Sequence, residues 1–233
     1  MFSSWAKLRV VLLLVWGIPV AAETTLFSDE FKNLDQWVVE QMPGGKVEAR
    51  DGVLFIHDAE GCTVWFRPKL RVPVSIQYDA VVRSKGRISD LNCFWMASDP
   101  AQPADLFHSR PRARTGVFTE YDALQTYYVG YGGNSNSTTR FRRYQGNGAK
   151  PLLPEHDLRE KRFLLEGDHV YHLELIAQDG VAKFIRDGEV LFNFHDVQPL
   201  TAGWFGLRTV NADIEIRNFR VLGLEPARSV TVR

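Results

Sequence analysis

Residues 170–196, VYHLELIAQDGVAKFIRDGEVLFNFHD, decide the fold class because three strand-like segments follow one another with no helix between them. Apolar residues recur at about every second position, and β-branched and aromatic residues are enriched, as in half-buried strands. Asp179-Gly180 and Asp187-Gly188 separate the segments, and Asp-Gly is a strong signal for a tight hairpin. The stretch therefore predicts consecutive antiparallel strands.

The same pattern extends over most of the chain. Further strands are predicted at residues 70–83, 203–210 and 214–224, the last with one step out of phase near Arg217 and Asn218. Helical signals are limited to about one turn each at residues 34–39 and 157–161, and residues 99–111 are predicted to form a long loop. These features predict an all-β fold, a two-sheet antiparallel β-sandwich or jelly roll, in one domain over residues 23–233.

The first 22 residues have the pattern of a secretory signal peptide. Lys7 and Arg9 precede an apolar run, and Val20-Ala21-Ala22 supplies small residues for cleavage after Ala22. The run is too short to predict a membrane span. We therefore expect an exported, periplasmic or extracellular protein that does not associate with a membrane after cleavage.

Charge and the metal-binding residue types exclude several functions. The formal net charge is zero, which gives no support for binding nucleic acid. Cys62 and Cys93 lie in apolar strands, so two buried free thiols are predicted, although export also permits a disulfide. The six histidines are scattered, which predicts no transition-metal site and no cofactor. The sequence leaves open a structural calcium site. A monomer is expected.

Residues 127–148, YYVGYGGNSNSTTRFRRYQGNG, are the leading candidate for a binding site. In an extended strand Tyr128 shares one face with Gly130 and Gly132, while Tyr127, Val129 and Tyr131 face the core. Glycine in a strand often marks close approach of a ligand, so a sugar ring is expected to stack on this face. The return strand and the turn add polar side chains: Asn134, Asn136, Thr138, Arg140, Arg142 and Tyr144.

Arg140 and Arg142 permit two interpretations. Guanidinium groups bind carboxylates through two parallel hydrogen bonds, which suits a uronic acid in a polysaccharide. Alternating arginines on a strand are also common as a solvated face or as partners of aspartates on a neighbouring strand.

Two further segments supply acids. Asp90 and Asn92 are predicted to share the open face of their strand with Phe94 and Met96, whereas Leu91, Cys93, Trp95 and Ala97 face the core. Glu120, Tyr121 and Asp122 follow the long loop. Asp90 and Glu120 are candidate acids or bases, and Tyr121 and Asp122 are candidate substrate contacts.

Two sets of motifs carry a resemblance to known proteins. The opening LFSDEFKNLDQWVVEQ and the closing strands resemble concanavalin A-like lectin/glucanase jelly rolls, in which the first strand pairs beside the last. SDLNCFWMASDP, YYVGYGGNSNSTTRFRRY and GWFGLRTV resemble a bacterial family of secreted jelly-roll domains of unknown function, often encoded among polysaccharide-degrading enzymes. The resemblance implies a polysaccharide or oligosaccharide ligand and carries no established catalytic residues.

The sequence leaves three activities open. Hydrolysis of a glycosidic bond needs two carboxylates, and the Glu-x-Asp-x-(x)-Glu strand of the laminarinase type is absent. β-Elimination at a uronate needs a base and a group that neutralises the carboxylate, for which Tyr128, Tyr144 and Arg142 are the candidates. A binding module without catalysis is the alternative to cleavage of an acidic polysaccharide.

Overall fold

The computed structural model describes residues 23–108 and 113–225. The predicted signal peptide lies outside these residues. Within them, sixteen strands form two antiparallel sheets that pack face to face, which confirms the predicted all-β jelly-roll sandwich.

Sheet A contains, in spatial order, β14 (Glu189–His195), β13 (Val181–Arg186), β12 (Val170–Gln178), β7 (Val74–Val82), β16 (Asp213–Gly223), β4 (Val53–His57) and β3 (Lys46–Arg50); β1 (Thr24–Asp29) also pairs with β16. Sheet B contains β11 (Asp157–Leu158), β10 (Thr138–Gln145), β9 (Gln125–Gly132), β8 (Asn92–Ser98), β15 (Ala202–Thr209), β5 (Cys62–Phe66) and β2 (Trp37–Gln41); β6 (Leu70–Arg71) pairs with β15. The pairing of β1 with β16 agrees with the expected first-beside-last arrangement.

Alternation along the strands places the core between the sheets. Tyr127, Val129 and Tyr131 of β9 enter it, as predicted, and meet residues of sheet A such as Phe184. The hairpin signals are also confirmed, since Asp179-Gly180 and Asp187-Gly188 all have positive φ, as the two central residues of a type I′ turn require.

The single turns expected at residues 34–39 and 157–161 are shorter or displaced. A turn closed by the hydrogen bond from Trp37 N to the backbone oxygen of Leu34 precedes β2, whereas residues 157–161 begin with β11 and reach a 3₁₀ turn only at Lys161–Phe163. In β8 the register shifts after Trp95, where Met96 has a φ of 52°. This bulge turns Met96 into the core and Ala97 to the outer face, the reverse of the prediction.

A second hydrophobic cluster covers the outer face of sheet B. Its members share a position on that face or in the loop that crosses it: Trp65, Phe94, Ala97, Leu106, Tyr121, Leu124, Tyr128, Tyr144 and Trp204. The described part of residues 99–124 therefore serves as a cover for sheet B, and the 3₁₀ turn Phe118–Tyr121 lies over its centre.

Glu40 of β2 fixes this cover to the sheet. Its buried carboxylate accepts hydrogen bonds from Trp65 Nε1 at 2.8 Å and from Tyr121 Oη at 2.9 Å. Arg114, from the covering loop, completes the arrangement with an ion pair at 2.9 Å. A buried carboxylate is stable only when it is paired and hydrogen-bonded, and here the partners come from both the sheet and the loop.

Both cysteines are buried free thiols, as the sequence pattern predicts. Among the described residues, no helix has the length and apolar character that crossing a membrane would need.

Glu40→Gln is expected to lower the free energy of unfolding by about 3 kcal/mol, because the partly buried Arg114 guanidinium loses its counter-charge. Urea denaturation measures the change. Glu30→Gln is the control, since Glu30 pairs with Lys32 on the exposed surface and should leave stability unchanged. Equal stability of the two variants would contradict a structural role for Glu40.

Candidate functional site

A groove on the outer face of sheet B is the candidate site. It has two adjoining compartments, one of about 400 Å³ and one of about 260 Å³. Asp90, Phe118, Tyr128 and Asn134 line both compartments. Gly130, Gly133, Thr138, Arg140, Arg142, Tyr144 and Lys150 complete the larger compartment, and Arg87, Asn92, Arg208 and Val210 complete the smaller one.

Strand register explains why these side chains meet. Arg208 of β15 lies opposite Asn92 of β8, and Arg140 of β10 lies opposite Gly130 of β9, so that all four residues follow one row across the sheet. Because residues two apart share a face, Arg142 and Tyr128 extend the groove into the next row, where they are opposite each other.

Gly130 leaves room for an aromatic ring. A Cβ built at this position would lie 3.4 Å from the ring and the hydroxyl oxygen of Tyr128, so the Tyr128 side chain leans over the bare backbone. Phe118 and Tyr144 cover the same ring, with centroids 5.8 and 5.4 Å away. The predicted sugar-stacking face of Tyr128 is therefore occupied by protein, since only 7% of the residue is exposed.

Three of the cations that line the groove have carboxylate partners. Arg140 forms a two-pronged pair with Asp157 of β11, with bonds of 2.8 and 3.2 Å, so it joins two strands as the second interpretation proposed. The Arg140 and Arg159 guanidiniums together lower the pKa of the Asp157 carboxyl to about 2. Lys150 pairs with Asp122 at 2.6 Å, and Arg87 lies 3.6 Å from Asp90.

Arg142 and Arg208 differ from these three. Arg142 donates to the backbone oxygen of Lys150, and no carboxylate of the described chain lies within ion-pair distance of it. It is half-buried at the wall of the larger compartment. Its charge therefore has no counter-charge in the part of the chain that the structure describes.

Arg208 is more unusual because it is only 2% exposed. Its Nη1 donates to Thr63 Oγ1 and to the backbone oxygen of Gly116, both at 2.9 Å, and its guanidinium lies 4.7 Å from the centre of the Phe118 ring. Nε has no hydrogen-bond partner, and within residues 23–108 and 113–225 no carboxylate pairs with this side chain. The nearby Glu40 carboxylate is already paired with Arg114, so Arg208 adds positive charge to the wall of the smaller compartment.

Asp90 and Asn92 form the polar end of the groove. Asp90 accepts hydrogen bonds from Ser89 Oγ at 2.5 Å and from Asn92 Nδ2 at 3.2 Å. These bonds leave Asn92 Oδ1 as a buried acceptor without a partner. Among the described residues Asn92 Oδ1 therefore keeps a spare acceptor at the base of the smaller compartment.

Burial controls the protonation of both groove tyrosines. Desolvation raises the pKa of Tyr128 well above its usual value, and the neighbouring Tyr144 adds to this effect. Burial followed by the charge of Asp122 also raises the pKa of Tyr144. Both hydroxyls stay protonated at neutral pH, which disfavours either tyrosine as the base of an elimination.

The structure brings most of the predicted site residues together. Asp90, Asn92, Tyr128, Asn134, Thr138, Arg140, Arg142 and Tyr144 all line the groove. The sequence did not indicate Arg208, Phe118, Arg87 or Lys150 as site residues. For Arg208 a signal existed, since Trp204, Gly206 and Arg208 alternate with the core residues of β15.

The remaining predicted residues lie elsewhere, which corrects the sequence analysis. Glu120 accepts hydrogen bonds from the backbone and hydroxyl of Thr115, and Tyr121 is buried against Glu40. Asp122 stands behind the groove as the partner of Lys150. Asn136 Nδ2 donates to the backbone oxygen of Leu165 and Asn136 Oδ1 accepts from the backbone N–H of Leu165, so this side chain ties the turn before β10 to the segment around Leu165.

The groove therefore contains one lining carboxylate, Asp90. Hydrolysis by the usual mechanisms needs two carboxylates on either side of the bond. Among the described residues, no group of three or more His, Cys, Asp or Glu side chains is arranged to hold a metal ion.

Comparisons with known proteins agree with this architecture. A model of the family described as "Domain of unknown function (DUF6250)" matches residues 56–219. No curated protein matches the sequence.

Solved structures similar to this chain share its fold at low sequence identity. A protein of unknown function with a galectin-like fold from Bacillus subtilis has 20% identity and a TM-score of 0.67, with 88% of this chain and 100% of that chain covered. The carbohydrate-binding module CBM66 from Bacillus subtilis has 13% identity and a TM-score of 0.55, with 81% and 96% covered. A prokaryotic β-1,3-1,4-glucanase (lichenase) from a mouse hindgut metagenome has 15% identity and a TM-score of 0.56, with 85% and 99% covered.

All seven tyrosines have raised pKa values, so the folded protein should show much less tyrosinate absorbance than the denatured protein at pH about 10, the ordinary value. Tyrosines of the unfolded chain lose their protons at a lower pH than those of the folded protein. Their contribution to the free energy of unfolding is therefore fully present below about pH 10 and falls as the pH rises further. An ultraviolet pH titration of the native protein, with the denatured protein as control, measures this. Ionisation of several tyrosines near pH 10 in the native state would contradict the burial of the groove rings.

Proposed function

The chain belongs to the DUF6250 family, and we propose that it binds an acidic, uronate-containing polysaccharide in the groove of sheet B without cleaving it. The observation that carries this proposal is the pair of arginines, Arg142 and Arg208, whose charges have no carboxylate partner in the described chain although both line the groove. A ligand carboxylate would supply the missing negative charge.

The carbohydrate part of the proposal is supported by fold and composition. Proteins named as a carbohydrate-binding module and as a glucanase share this jelly roll. The groove also offers hydroxyl and amide groups, from Thr138, Asn92 and Asn134, of the kind that bind sugar hydroxyls. Phe118 is the one phenylalanine that lines both compartments, and its partly exposed ring can contact a sugar face.

The acidic part follows from the arrangement of charge. Among the described residues, five cations line the groove and Asp90 is the one carboxylate that does so, while Asp122 and Asp157 lie behind it as ion-pair partners. The surplus positive charge belongs to Arg142 and Arg208. Adjacent strands lie about 4.8 Å apart, so the row from Arg208 to Arg140 spans about 14 Å, room for about three sugar residues.

Binding is favoured over cleavage because the described residues of the groove supply neither a second carboxylate for hydrolysis nor an ionised tyrosine for elimination. Asp90 is a single carboxylate held by Ser89 and Asn92, which leaves hydrolysis without its second acid. Tyr128 and Tyr144 are protonated, and a bound uronate beside them would disfavour their ionisation further. The same tyrosines can donate hydrogen bonds to the ligand.

Arg142→Gln is expected to weaken binding of polygalacturonate, alginate or hyaluronan, whichever the wild type binds, about tenfold or more, because a charge-assisted hydrogen bond is lost. Isothermal titration calorimetry measures the affinity. Arg50→Gln, which removes an exposed arginine on sheet A, is the control. Carboxyl-reduced forms of the same polymers should bind the wild type and Arg142→Gln equally weakly.

Arg208→Gln should have a similar effect, and Arg208→Lys should retain part of the affinity because it keeps the charge. Circular dichroism confirms that each variant is folded. Equal affinity for native and carboxyl-reduced polymers would overturn the acidic specificity. Appearance of new reducing ends or of unsaturated uronates during incubation would overturn binding without cleavage.

A further inference from the structure

A second cavity lies at the open edge of the sandwich, on the other side of strand β10 from the groove. This edge pocket has a volume of about 400 Å³ and is formed by β10, the segment 147–156 and residues 194–198, which include the end of β14 and the residues after it. Its wall contains Phe141, Leu153, His156, Phe194 and Val197. We propose that the edge pocket binds one neutral sugar residue, as a site separate from the groove.

Alternation along β10 creates two sites from one strand. Arg142 and Tyr144 line the groove, whereas Arg143 and Gln145 line the edge pocket. The pairing of β10 with β11 involves only Thr139 and Arg140, so the later part of β10, which pairs with β9 on one side, has no paired strand among the described residues on its other side. The two sites are therefore neighbours that face different directions.

The edge pocket has no surplus charge. Arg143 Nε donates to Asp196 Oδ2 at 3.1 Å, and the same oxygen accepts a hydrogen bond from Tyr127 Oη at 2.8 Å. The two charges compensate each other within the pocket wall. A charged ligand would find no partner here, in contrast to the groove, so an uncharged ligand is favoured.

An aromatic surface forms the floor. The His156 ring packs edge-on against Phe141, 4.9 Å between centroids, and against Phe194 at 5.8 Å. Among the described residues no hydrogen bond engages the His156 ring nitrogens, and burial lowers the pKa of this histidine. A neutral imidazole offers one donor and one acceptor to a ligand, beside rings that suit the C–H face of a sugar.

The rim combines apolar and amide groups. Leu153 is 39% exposed and Val197 is 96% exposed, so both offer methyl groups to a bound ring. The side chains of Gln145, Asn147 and Gln198 surround the same opening and can bind hydroxyl groups. Apolar surface on one side and amides on the other match a ring that carries C–H bonds on its face and hydroxyls on its edge.

Saturation-transfer NMR with free glucose, galactose, mannose, xylose and fucose tests the proposal on the whole protein. At least one sugar should receive magnetisation from the wild type. The double variant Leu153→Ala/Val197→Ala should reduce the transfer severalfold, because it removes the apolar rim. The matched control is Leu26→Ala/Val190→Ala, which changes the same residue types at exposed positions outside the pocket.

The control variant should keep the wild-type transfer, because its substitutions lie outside the edge pocket. His156→Gln should weaken the transfer by removing the ring. No transfer to any of the five sugars, or equal transfer for the two double variants, would overturn the proposal while leaving the groove untouched.

Discussion

The groove depends on one buried carboxylate, that of Glu40, which holds the long loop on the outer face of sheet B. Without this loop, Trp65, Phe94 and Tyr128 would form an exposed aromatic face on the sheet. The bonds from Glu40 to Trp65, Tyr121 and Arg114 connect the sheet to its cover. The loop can then place Phe118 above Tyr128, and the space beside these rings becomes the groove.

Charge compensation then distinguishes the parts of this surface that are structural from those that are available to a ligand. Arg140 with Asp157, Lys150 with Asp122 and Arg143 with Asp196 form pairs that hold strands and turns together. Arg142 and Arg208 remain without such partners in the part of the chain that the structure describes. Buried Arg208 adds positive potential to the smaller compartment of the groove, and half-buried Arg142 places a guanidinium on the wall of the larger compartment. In the edge pocket Arg143 is paired with Asp196, so an uncharged ligand is expected there.

Period-two alternation predicted most of the fold and much of the site, because a strand side chain points to one face or the other. It placed Tyr128, Thr138 and Arg142 on one face correctly. Alternation failed at Met96, where a bulge adds a residue, and it could not show that Arg140 meets Asp157, since that pairing joins distant segments. Phe118 and Glu120 lie in a covering loop, whose path depends on Glu40 and not on a local pattern.

The most direct test of acidic-polysaccharide binding in the groove is a crystal structure of the protein with a bound uronate oligosaccharide. Density is expected in the groove of sheet B, with a sugar carboxylate about 2.7–2.9 Å from the Arg142 guanidinium, the range of charge-assisted hydrogen bonds. A second carboxylate or a hydroxyl should lie in the compartment of Arg208 and Asn92. An oligosaccharide bound elsewhere on the molecule, or one whose carboxylates point away from both arginines, would contradict this binding mode.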